Sequence, residues 1–382
     1  MNKNTDVKDY EIGEEIRAWG VCIPDEAADE VLETIKSKWI NTGKKEKEFR
    51  QKICDRFQAP YATATTSGTA ALKIALKSLG VGFGDEVVST AYTFMATNTS
   101  ILELGAIPVF ADIQYDTLNL DPNSVAEKIT KKTKAIICVH YAGNPVDLDE
   151  LRLVAREHNL PIIEDSAHAM ASEYKGKPIG ATGDIACFSF QCVKIVTCGD
   201  GGVVTTTNKK LYEKIQKNSW YGINRDAKKV DILDPLPHHP TELGLKANMN
   251  DIVASLACAA MNHLDTALKF RETIGRKYRD EFKDLNQIQL INYKEDRKPN
   301  YQIFPVHANK REKFAKYMWD NGIQVNINNR RNDIYPIFGG LRKGLQNLEK
   351  ADQDVILIPL HSDLTPSNID KIIDCIRKYD RL

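Results

Sequence analysis

Residues 185–199 read IACFSFQCVKIVTCG, and Lys194 is the only charged side chain among them. An ammonium in an apolar run is costly to desolvate unless it is paired, gives up its proton or becomes covalently bound. A lysine whose pKa is depressed in this way is the amine that forms a Schiff base with a carbonyl compound. A lysine snorkelling from a strand end fits the same letters. The decision therefore rests on the neighbouring segments.

Downstream, Gly199-Asp200-Gly201-Gly202 is a tight turn leading into the strand-like GVVTTT. Upstream, residues 161–169 read PIIEDSAHA, a short buried strand with Glu164 and Asp165 at its carboxyl end. Ligands of open α/β sheets bind at such ends, although an aspartate there is equally a helix N-cap. Further upstream, TTSGTAALKIAL (65–76) places Ser67-Gly68-Thr69 before a helix whose apolar residues Ala71, Leu72, Ala75, Leu76 and Leu79 recur at helical spacing. Small residues at a helix start let backbone N–H groups approach a phosphate. Read singly, SGT is more often a simple cap.

Strands and helices alternate along the chain. Glu86–Ser89, Ile107–Ala111, Ala135–His140 and Pro161–Glu164 read as strands, with helical segments around Ala96–Leu104, Pro122–Lys131 and Leu148–Glu157 between them. This βαβ spacing predicts an α/β fold with a mainly parallel sheet covered on both faces. GVGFG at 80–84 precedes a strand instead of following one, so it reads as a turn and not a dinucleotide fingerprint. Residues 226–242, DAKKVDILDPLPHHPTE, read as a loop in which His238 and His239 are a solvated pair before they are metal ligands. A helical stretch from Asn250 to about Asp280 leads to a small α/β portion with helices at Asn309–Asn321, capped by Asn309, and Pro366–Tyr379.

Lys and Arg number 52, as do Asp and Glu, so no net field recruits nucleic acid or an anionic membrane. No apolar run has the length of a transmembrane helix. The first residues, MNKNTDVKDYEIGEE, lack the apolar core of a signal peptide, which predicts a cytoplasmic protein. Eight cysteines form no CxxC pair; Cys187, Cys192 and Cys198 cluster near Lys194 without a histidine at metal-ligand spacing. They read as reduced thiols, with no metal expected.

SGTAAL, Tyr92-Thr93-Phe94, EDSAHA, FSFQCVK and TCGDGG occur in that order. This combination resembles the sugar aminotransferases of the DegT/DnrJ/EryC1/StrS group, pyridoxal-phosphate enzymes of fold type I, from about Trp39 to the C-terminus. The resemblance implies a large cofactor-binding domain (1–249) and a small C-terminal α/β domain (250–382). It implies that Lys194 holds pyridoxal 5′-phosphate covalently and shuttles the proton, and that Asp165 contacts the pyridinium nitrogen. Ser67, Gly68, Thr69 and Ser189 would hold the phosphate, Phe94 would stack on the ring, and His168 would lie near the phenolic oxygen. Asn248 matches an asparagine that reaches the phosphate of the neighbouring subunit, which implies a homodimer with shared active sites.

The implied reaction moves an amino group, with glutamate as donor, to a keto group of a nucleotide-linked sugar in polysaccharide or related biosynthesis. Some members replace the lysine with histidine and act as dehydratases; the lysine here favours transamination. The segment INNRRNDIYPIFGG (327–340) departs from the group's usual recognition segment. Arg330 and Arg331 could pair with a phosphate of the acceptor, or could be a solvated loop pair. The arginines keep a small phosphorylated ketone, such as a triose phosphate, as an alternative acceptor. A dehydratase on the same fold is a further alternative.

Overall fold

The computed structural model of the chain describes residues 15–183, 185–223, 240, 242–327 and 329–382. His238 and His239 lie outside the described residues. In chain order the first half contains α1 (Ala27–Lys36), α2 (Lys44–Phe57), β1 (Tyr61–Thr65), α3 (Gly68–Ser78), β2 (Glu86–Thr90), α4 (Ala96–Leu102), β3 (Ile107–Ala111), α5 (Pro122–Lys128), β4 (Thr133–Val139), α6 (Leu148–Glu157) and β5 (Ile162–Asp165). It continues with β6 (Glu173–Tyr174), β7 (Lys177–Pro178), β8 (Ile185–Ser189), β9 (Gly202–Thr206), α7 (Lys209–Ser219), α8 (Asp251–Asn262) and α9 (Leu264–Phe282). The C-terminal portion adds β10 (Ile288–Leu290), β11 (Arg297–Lys298), β12 (Phe304–Ala308), α10 (Arg311–Asp320), α11 (Gln346–Asp354), β13 (Val355–Ile358) and α12 (Pro366–Tyr379).

Seven strands form one sheet in the order β1-β9-β8-β5-β4-β2-β3. Six run parallel, and β9 runs antiparallel between β1 and β8. Strands covered on both faces need not alternate apolar and polar residues, and β8 and β9 are buried throughout. Side chains still alternate between the faces. Ile163, Ile185, Cys187 and Val204 pack with Leu72, Ile74 and Leu76 of α3 on one face. Ile136, Ala186, Phe188 and Val203 pack on the other with Phe49 and Ile53 of α2 and Leu148 and Leu151 of α6. The same alternation sends Asp165 and Ser189 toward the α3 side and Glu164 to the opposite one.

A second, antiparallel sheet, β10-β12-β13, packs against α9, α10 and α12 around Tyr278, Phe282, Phe304, Phe314 and Ile372. Ile16 joins this core through a bridge to Ile323, so the N-terminal segment docks on the C-terminal portion. The helical stretch expected from Asn250 onward is two helices that meet at His263. Ala254, Ala257 and Cys258 of α8 lie in the core of the large sheet, whereas Ile274 and Tyr278 of α9 belong to the second core. The passage between the two cores therefore falls within α9 instead of at residue 250, because α8 is apolar enough to be drawn under the large sheet. Asn309 does not cap α10. Lys310, in a left-handed conformation (φ 53°), occupies the cap, and no side chain bonds the helix start.

Candidate active site

The carboxyl ends of the parallel strands, the start of α3 and the N-terminal segment enclose a cavity of about 470 Å³. Ser67, Gly68, Thr69, Phe94, Asp165, His168, Ser189 and Lys194 all line it. Ser67 is the N-cap of α3, its hydroxyl accepting from the Ala70 amide at 3.1 Å. The following turn is closely packed: a Cβ on Gly68 would lie 2.9 Å from Ser189 Cβ, and one on Gly202 would lie 2.2 Å from the Ser67 carbonyl oxygen. The antiparallel strand β9 thus presses Gly202 against the start of α3. Together these residues form a cradle of small side chains and helix N–H groups suited to a phosphate.

Asp165 ends β5, buried, with both carboxylate oxygens held. Thr97 Oγ1 donates to Oδ2 at 2.7 Å and the Ala167 amide to Oδ1 at 3.2 Å. Burial raises its pKa, opposed by these bonds and by the charge of Lys194. Thr93 in turn bonds the Thr97 hydroxyl at 2.8 Å. On the other side of the strand Glu164 is buried against His140 (3.0 Å) and Thr182 (2.8 Å). His140 Nδ1 accepts from the Val146 amide, so its Nε2 carries the proton donated to Glu164.

Lys194 follows β8 in a turn, and its ammonium has no hydrogen-bond or ion-pair partner among the described residues. Desolvation draws its pKa down to about 8, with Asp165 pulling the other way. The Gln302 side chain clamps both peptides flanking the lysine, accepting from the Ile195 amide at 3.2 Å and donating to the Val193 carbonyl at 2.9 Å. His168 is held neutral by burial and by the neighbouring lysine charge, and its Nδ1 is buried without a hydrogen-bond partner. Phe94 exposes 60 % of its surface at the cavity mouth.

Asn248 does not line the cavity of its own chain. Its amide donates to Thr42 Oγ1, and its carbonyl accepts from Lys246. Neither Arg330 nor Arg331 lines the cavity, although Asn329 does. Arg331 is buried and doubly bonded to Asp333, Nε and Nη2 each donating at 2.7 Å, which accounts for its fork within its own loop. Arg330 points its exposed side chain toward Asp352 at 3.6 Å. The expectation that these arginines meet a substrate phosphate is therefore corrected for this chain's own cavity. Thr97, Gln302, Arg271 and the Trp19-Gly20 pair also line the site, outside the motifs that mark it in the sequence. Thr97 was accessible from the letters TFMAT, one helical turn after Thr93. Arg271 and Gln302 carry no local signal.

Among the described residues no group of three or more His, Cys, Asp or Glu is placed to hold a metal, and no helix is long and apolar enough to cross a membrane.

The sequence profile of the DegT/DnrJ/EryC1/StrS aminotransferase family matches residues 21–377. The spore coat polysaccharide biosynthesis protein SpsC of Bacillus subtilis is 31% identical over 364 residues, covering 92% of this chain and 94% of SpsC. The crystal structure of the sugar aminotransferase CalS13 from Micromonospora echinospora superposes with a TM-score of 0.90 at 27% identity, covering 95% of this chain and 99% of CalS13. The PLP-form of Spr1654 from Streptococcus pneumoniae superposes at 0.88 and 28% identity, covering 96% of this chain and 99% of that one.

Proposed function

The chain belongs to the DegT/DnrJ/EryC1/StrS aminotransferase family, and on that premise we propose that it transfers an amino group from glutamate to the keto group of a nucleotide-linked sugar, using pyridoxal 5′-phosphate. One arrangement carries this reading: Lys194, with its lowered pKa, faces the same cavity as the buried carboxylate of Asp165 and the Ser67–Thr69 cradle. The residues fit the cofactor. The cradle at α3 suits its phosphate, Asp165 its ring nitrogen, and the unpartnered Nδ1 of His168 its polar substituents. When bound, the cofactor supplies a conjugated ring that accepts the electron pair left by removal of the donor's α-proton.

The protein's part is to hold and move charge. Thr97 and the Ala167 amide keep the Asp165 carboxylate ionised and aimed, so that it holds a proton on the ring nitrogen. Two lone-pair positions of that carboxylate remain for the contact. Lys194, neutral in an appreciable fraction near pH 8, takes the α-proton of the donor and returns a proton in the opposite half-reaction. Phe94 would lie over the ring, and Ser67, Gly68, Thr69 and Ser189 would anchor the phosphate. Asn248, lying outside its own cavity, is the contact offered to the phosphate site of a second copy. With Arg331 committed to Asp333 and Arg330 outside the cavity, the sequence reason for a small phosphorylated ketone loses its support, and the sugar reading is supported by the relatives SpsC and CalS13.

The test is direct. Holoenzyme treated with L-glutamate should pass to the pyridoxamine form, read by absorbance, and a panel of keto-sugar nucleotides should restore the starting spectrum with one of them aminated by mass. A holoenzyme whose spectrum no amino acid changes is not a transaminase.

A further inference from the structure

Three arginines are buried among the described residues: Arg271, Arg297 and Arg331. Arg297 pairs with Asp147 and Asp296, and Arg331 with Asp333. Arg271 has no carboxylate partner among the described residues, and of the three it is the one that lines the active-site cavity. Its Nη1 is shared among the backbone carbonyls of Tyr301 (3.2 Å), Gln302 (2.8 Å) and Leu360 (3.0 Å). The remaining guanidinium N–H groups have no partner among the described residues. Carbonyl dipoles solvate a cation without neutralising it, and a buried charge lacking a counter-ion is costly. Desolvation lowers the Arg271 pKa to about 10, so it still carries its charge at neutral pH. The cavity is therefore lined by a guanidinium that no carboxylate pairs with among the described residues, Asp363 acting on it only through space.

Position tells which anion. The Gln302 carbonyl that receives Arg271 belongs to the residue whose side chain clamps the peptides on both sides of Lys194. An amino donor must bring its nitrogen to the atom that Lys194 also bonds, and its α-carboxylate lies two bonds from that nitrogen. The carboxylate is thus confined to the neighbourhood of Lys194, while the cofactor phosphate has its own cradle at α3. The geometry points to Arg271 as the residue that binds the α-carboxylate of the amino donor, through the guanidinium edge left free by the carbonyls. A guanidinium matches a carboxylate in shape as well as in charge. This inference rests on the aminotransferase reading above.

The experiment compares wild-type, Arg271→Lys and Arg271→Met holoenzymes in the two half-reactions separately. Loss of a charge-assisted hydrogen bond should raise KM for L-glutamate about tenfold to a hundredfold in Arg271→Met, with kcat changed less. The lysine variant should recover part of this, and the half-reaction with the keto-sugar nucleotide should keep its KM. Should the methionine variant fail to fold, 4-aminobutanoate, which has the amine and a distal carboxylate but no α-carboxylate, serves as the probe. Wild type should prefer glutamate over it strongly, and Arg271→Lys should narrow that preference. An unchanged preference, or an unchanged KM for glutamate, overturns the assignment. So does a loss confined to the sugar half-reaction, which would give Arg271 to the acceptor's phosphates, and so does an equal loss in both that tracks a fall in melting temperature. Wild type inert to every amino acid would sink the aminotransferase reading itself, whereas a wild type that reacts and a variant that reacts equally well sinks only the role of Arg271.

Discussion

Lys194 meets two demands that oppose each other, since the burial that lowers the pKa of its amine also destabilises the folded chain. Its pKa of about 8 lies below the value of about 10.4 for a free lysine. The folded state therefore binds fewer protons than the unfolded state between these values, and stability rises with pH across that window. Below the lower value the full penalty is present; above the upper one it is gone. Lys194→Met should abolish turnover of the holoenzyme yet raise the stability of the apoprotein at pH 7 by about 1–3 kcal/mol. In urea titrations that gain should shrink toward zero by pH 10, and a variant less stable than wild type at pH 7 contradicts it. Asp165 is the complementary case, a carboxylate kept useful by Thr97. Asp165→Asn should fold and bind cofactor while turnover falls about tenfold to a hundredfold, the worth of one charge-assisted hydrogen bond. Near-normal turnover would assign the ring nitrogen to another acid.

At the scale of elements, the loop between α10 and α11 shows how a charged pair can be structural. Arg331 and Asp333 are both buried and bonded at two points. Removing one partner leaves an uncompensated buried charge, so Arg331→Ala should cost about 3–5 kcal/mol in chemical denaturation. Replacing both residues by apolar ones should cost far less, and equal costs for the single and double changes would refute the pairing. Asp333 stands two letters after Arg331, so a local partner for this guanidinium is present in the sequence, where it competes with the preference of guanidinium for phosphate. The strands and helices around the site were legible because their apolar periods are clean: β3, α6 and α12 have the expected bounds. The division of the helix at His263 was not, since two helices in succession carry one continuous period. The cradle and Lys194 were legible as short local motifs. Arg271 and Gln302 act through partners far along the chain, such as Leu360 and Ile195, and no window of sequence brings those together.

For the molecule as a whole, the described residues between Trp19 and Ile40 expose Trp19, Val21, Ile23, Leu32, Ile35, Trp39 and Ile40. So much large apolar surface on one short segment suits association with another chain. Trp39 Nε1 donates to the Thr42 carbonyl, and Thr42 Oγ1 receives Asn248, so this surface adjoins the residue proposed to serve a second copy. Trp39→Glu would place a carboxylate in an apolar contact at a cost of several kcal/mol. It should break the proposed dimer into monomers in sedimentation, with loss of activity, and a fully active wild-type monomer would refute the shared site. The antiparallel strand β9 carries a different consequence, for the order of events during synthesis. It pairs Val204 with Thr63 and sets Gly202 against Ser67. A nascent chain that has emerged only as far as Asp200 holds β1 without its neighbour and the start of α3 without its backing. Long-range pairings of this kind form slowly, so the cradle at the start of α3 should be complete only once the ribosome has released the strand that closes the sheet.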